Sequence, residues 1–167
     1  MLMFKPATIW VAGLAIILAL PVPARSQLQL SQGGVAQGGA SSAKGKTHRV
    51  VIQVTQSDPA VMNMALNNAE NLVKYFQDKG EKIEIEFVAY GAGLNMFRGD
   101  TSPVKDRLAA ISGSMKNITF SGCGNTLTNQ SRMENKEISL VPQARLVVAG
   151  IARVVELEEE GWTYVRP

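Results

Sequence analysis

"HRVVIQVTQSDPAVMNMALNNAENLVKYFQDKGEKIEIEFVAYG", residues 48–91, holds a complete strand–helix–strand unit. Val50, Val51, Ile52 and Val54 form a short β-branched apolar run that reads as a buried strand. Asp58 and Pro59 follow as an N-cap and a first helical residue. Met62, Ala65, Leu66, Ala69, Leu72, Val73 and Phe76 then recur at the spacing of one helical face, and Gly80 ends it. Ile83, Ile85 and Phe87 alternate with Glu84 and Glu86 in the next strand, which leads into a glycine loop, "YGAGLNMF".

The same alternation continues toward the C-terminus. "TSPVKDRLAAISGS" predicts a second helix with Ser102 as cap, Pro103 in the first turn, and Val104, Leu108 and Ile111 inward. "NITF" reads as a third strand, and "GNTLTNQSRMENKEI" as a short helix and a turn. "ARLVVAG" is a fourth strand, "IARVVELEEE" a helix stopped by Gly161, and "WTYVRP" a final strand. Strands alternating with helices at this spacing imply right-handed crossovers and a mainly parallel sheet covered on both faces. The expected fold class is therefore α/β, a three-layer sandwich of flavodoxin-like kind.

Residues 1–26 have the form of a secretory signal: Lys5, an apolar run over residues 9–20, then Ala24, Arg25 and Ser26 before Gln27. That run is short of the roughly twenty residues a membrane span needs. Residues 27–47, rich in Gly, Ser, Gln and Ala, read as a flexible arm. A single domain over residues 48–167 remains, placed outside the cytoplasm and off the membrane once the signal is cleaved. Of 17 Lys and Arg, Lys5 and Arg25 leave with the signal, so 15 face 14 Asp and Glu, a net charge of +1. Such a balance gives no electrostatic footprint for nucleic acid.

In such sheets chemistry collects at the carboxyl ends of the strands, here residues 55–58, 90–95, 121–125 and 149–151. Cys123, the one cysteine of the chain, lies in the third of these loops. The helix after it would aim free N–H groups at the sulfur, stabilising a thiolate. Gly122, Gly124 and Asn125 would form its backbone environment, the glycines allowing close approach. The competing reading is a small buried hydrophobe.

Other chemistries find little support. His48 precedes the first strand, at the opposite edge of the sheet, so a Cys–His dyad is not expected. One Cys and one distant His make no metal cluster. "TQSDPA" lacks the pattern of a phosphate cradle, so no flavin or other cofactor is expected. Met62, Met64 and Met115 fit core positions, and the acidic run at residues 156–160 a solvated face.

With "FSGCGNTL", "VIQVTQSDP" and the closing "VVAGIARVVELEEEGWTYVRP", the chain resembles the DsrE/DsrF-like proteins, in their exported branch. The resemblance implies an α/β sandwich around a five-stranded, mainly parallel sheet, assembled as a homotrimer or hexamer. In sulfur-relay members the matching cysteine carries a sulfane sulfur as a persulfide, which puts that role on Cys123 and implies a sulfur donor or acceptor protein as partner. The alternative is a non-catalytic periplasmic oligomeric module with a structural or redox-sensitive cysteine. The residues after the cysteine, "GNTL", differ from the relay members' pattern.

Overall fold

The structure is a computed structural model, and it describes residues 45–167. The expected signal and residues 27–44 of the expected arm fall outside these residues.

Five strands make one sheet: β1 Thr47–Val54, β2 Lys82–Ala89, β3 Ile118–Cys123, β4 Ala144–Val147 and β5 Thr163–Val165. Their spatial order is β4-β3-β2-β1-β5, and every pairing is parallel. Four helices connect them: α1 Pro59–Asp78, α2 Lys105–Ser114, α3 Gly124–Glu134 and α4 Gly150–Glu159. A 3-10 segment, Gly91–Phe97, follows β2 and buries Gly93, Leu94, Met96 and Phe97.

This order fixes where the helices go. From β1 to β4 each strand is laid on the same side of its predecessor, so right-handed crossovers put α1, α2 and α3 on one face. The return from β4 to β5 runs the other way and puts α4 on the opposite face. The two cores differ in size accordingly. On the first face Val50, Ile52, Val54, Ile83, Ile85, Phe87 and Phe120 meet Met62, Leu66 and Val73 of α1, Leu108 and Ile111 of α2, and Met96 and Phe97. On the second, Val154 and Leu157 of α4 meet only Val51 and Val88, with Tyr90 and Trp162 at the margin.

Two local expectations need correction. Ser102 does not cap α2, which starts at Lys105 behind Val104. Its buried hydroxyl instead donates to the Met96 carbonyl and accepts from the Val104 amide, tying the preceding turn to the 3-10 segment. Met64 is exposed, because the buried stripe of α1 runs through Met62, Ala65, Leu66, Ala69 and Val73 and leaves Met64 to one side. The acidic run keeps its glutamates in solvent and buries only Leu157.

Candidate functional site

Adjacent strands whose following helices leave toward opposite faces open a crevice between their carboxyl ends. Here these are β3, followed by α3, and β4, followed by α4. Cys123, the last residue of β3, stands opposite Val147, the last of β4. The alternation that sends Phe120 into the larger core sends the Cys123 side chain to the α4 face. The cysteine is therefore placed where the N-termini of two helices meet.

Cys123 is the N-cap of α3, and its Sγ accepts the Thr126 amide at 3.4 Å. The Thr126 hydroxyl lies close enough to the same sulfur to favour its thiolate. Its oxygen in turn accepts the Gly91 amide at 3.1 Å, which orients the hydroxyl. The backbone of Gly150, first in α4, packs directly against Cys123, and its amide also favours the thiolate. α4 has no side-chain cap, so its N-cap side chain does not compete for the first-turn amides. Burial pushes the Cys123 thiol up, but the hydrogen bonds from Thr126, Gly150 and Asn125 outweigh it and hold the thiol below its ordinary range.

Gly122 and Gly124 serve mainly to pack, while Asn125 is exposed. A Cβ on Gly122 would lie 2.7 Å from Leu140 Cδ1, and one on Gly124 would lie 3.1 Å from the Val147 carbonyl oxygen. The Asn125 amide donates to the Val148 carbonyl at 3.1 Å, so it is only partly available to the sulfur. Thr126 and Gly150 are the donors that sequence reasoning missed. Thr126 was detectable as the residue three after a helix-capping cysteine. Gly150 carried a weaker signal, a glycine between a strand and a helix in one of the four carboxyl-end loops.

Three of those four loops converge on the sulfur, supplying Gly91, Cys123 and Gly150. The first instead packs Thr55 against Gly93. Beside Gly150, Tyr164 donates to Gln53 at 2.5 Å, and Gln53 donates to the Tyr90 hydroxyl. Burial, then the neighbouring Tyr164, raise the Tyr90 hydroxyl above the usual phenol range. His48 lies at the amino end of the sheet, bonded to Glu81 at 2.7 Å and stacked on Phe76. It has no access to Cys123.

Thr126 offers a direct check of this geometry. Thr126→Val keeps the shape and the amide but removes the hydroxyl donor, and should raise the apparent thiol pKa by about one unit, a tenfold loss of thiolate well below the pKa. Thr126→Ser should retain the wild-type profile. The measurement is the pH dependence of iodoacetamide alkylation, and coincident profiles for all three proteins would remove the hydroxyl from the site.

Among solved structures, the chain is similar to MTH1491, a protein of unknown function from Methanobacterium thermoautotrophicum. The identity is 28% and the TM-score 0.60, over 72% of this chain and 99% of that one. No protein-family model matches the chain, and no curated protein matches it significantly.

Proposed function

We propose that this protein is an exported sulfur carrier of the DsrE/DsrF-like kind, working through Cys123. The observation that carries the reading is a sulfur at the N-cap of α3, accepting the Thr126 amide, with the Gly150 backbone at the start of a second helix packed against it. The Cys123 thiolate attacks the sulfane sulfur of a persulfide donor, R–S–SH. A bond forms between Sγ and that sulfur, the donor's S–S bond breaks, and R–S⁻ leaves, so Cys123 becomes –S–SH with no external oxidant. Delivery is the reverse: an acceptor thiolate takes the outer sulfur, and Cys123 departs as a thiolate held by the same donors. With one cysteine in the chain, no second thiol of this subunit discharges the persulfide.

Incubation with a small persulfide donor followed by intact-mass measurement tests the reading. Wild type should gain one sulfur and Cys123→Ser none. No adduct on wild type, or an equal one on the variant, would sink it.

The second reading, an oligomeric interaction module, is favoured by one observation: Cys123 is only 5% exposed, while Leu146, Val148 and Ile151, around its strand partner Val147, project into solvent. Under it, a thiol reagent would label Cys123 only after unfolding. A carrier would label in the native state with a profile shifted to low pH.

A further inference from the structure

Glu86 is a carboxylate in the middle of β2, on the α4 face, and it is almost wholly buried. Its Oε1 accepts from Ser121 of β3 at 2.7 Å and from Arg145 of β4 at 2.9 Å. Arg153 of α4 then grips both oxygens, Nε on Oε1 at 3.0 Å and an Nη on Oε2 at 2.9 Å. Two strands thus hold the carboxylate still while the helix clamps onto it.

We propose that the Glu86–Arg153 pair is the positioning device that sets the first turn of α4 against the Cys123 sulfur. This rests on the reading of Cys123 as a working thiolate. The apolar seat of α4 is small, Val154 and Leu157 on Val51 and Val88, and such a contact tolerates sliding and rotation. A bidentate guanidinium–carboxylate pair tolerates far less, because both N–H···O bonds must align at once. Arg153 lies three residues after Gly150, so the clamp acts on the turn that presents the amide. A cation at that end of a helix opposes the helix dipole, and no acidic residue stands in the first turn to offset it. Glu86 supplies the missing charge from the sheet. The charged groups around the pair are Arg145, Glu156 of α4, whose carboxylate is 3.4 Å from Arg153, and Glu160 just past the helix end.

The test uses the full-length protein and three variants: Arg153→Lys, Glu86→Gln combined with Arg153→Gln, and Leu108→Ala. The first keeps both charges but cannot form the fork, and the second removes both charges together so that neither is left buried alone. Leu108→Ala destabilises the distant, larger core. Folding is followed by circular dichroism and urea midpoint, and Cys123 by its iodoacetamide rate against pH. Arg153→Lys and the double variant should fold and raise the apparent thiol pKa by about one unit, lowering neutral-pH alkylation about tenfold, while Leu108→Ala leaves the profile in place. Profiles that overlay wild type, or an equal shift in Leu108→Ala, would overturn the positioning role. An ordinary thiol profile in wild type would instead overturn the reading of Cys123.

Discussion

Gly150→Ala should strip Cys123 of most of its thiolate character while leaving the sheet intact. An alanine Cβ there would sit 2.9 Å from both Cβ and Cδ1 of Tyr90 and 3.1 Å from Cβ of Cys123. Cβ atoms follow the backbone and cannot swing away as a side-chain tip can, so the start of α4 must withdraw from β3. Withdrawal lengthens the contact between the Gly150 amide and the sulfur and weakens the field of the second helix. The expected result is a rise of the apparent thiol pKa by at least about one unit, with neutral-pH alkylation slowed about tenfold or more. Overpacking should also cost about 1–3 kcal/mol of stability. A folded Gly150→Ala protein with an unshifted pH profile would show that the α4 amide does not hold the thiolate.

Gly93→Ala should have the larger effect on the fold itself. A Cβ on Gly93 would lie 2.2 Å from the Val54 carbonyl oxygen, 2.5 Å from its carbon and 2.7 Å from Thr55 Cα. All three are backbone atoms at or just past the end of the interior strand β1, so no rotamer change relieves the clash. The 3-10 segment must lift from the sheet, carrying Leu94, Met96 and Phe97 out of their buried positions. A loss of about 3 kcal/mol or more is expected, a large part of the roughly 5–15 kcal/mol that holds a domain together. Gly113→Ala is the internal control. It lies in α2 with nothing within 4 Å of its added Cβ, and helix propensity alone should make it neutral or stabilising. Urea midpoints measure both, and a Gly93→Ala midpoint equal to wild type would refute the close approach.

The segment carrying Gly93 also reaches the site. Its first residue gives the Gly91 amide to the Thr126 hydroxyl, and its carbonyl accepts from Gln130 of α3. Arg98, just after the segment, is clamped between Asp100 and Glu134 at the end of α3. The Arg98 guanidinium holds the carboxyl of Asp100 far below the usual range, with help from Lys136, and also lowers that of Glu134. A lowered carboxylate pKa stabilises the fold above its unfolded value and ceases to do so as pH falls through the folded one. The attachment of α3 to the 3-10 segment therefore weakens in acid.

Much of this was legible in the residues. Strand and helix periods, Asp58 with Pro59 at a helix start, and glycines at helix ends are local signals, and the alternation of elements follows from them. The placement of Cys123 at a strand end, ahead of a helix, is local as well. Ser102 was misread because a hydroxyl before a proline matches a helix cap, and only the nearby Met96 carbonyl diverted it. Glu86 read as the polar side of an alternating strand, which it is. That α4 would cover it, with Arg153 and Arg145 on its oxygens, depended on residues 59 and 67 positions away.

By itself, then, the sequence determined the α/β class, the sandwich, and one sulfur at the carboxyl edge of the sheet, because hydrophobic period and turn chemistry act over a few residues. Only the tertiary structure decided that two helices share that sulfur, since strand order sends α3 and α4 to opposite faces and brings Gly150 to Cys123 across 27 residues of chain. The seating of α4 was decided there too: a buried charge pair between sheet and helix has meaning only after both are assembled.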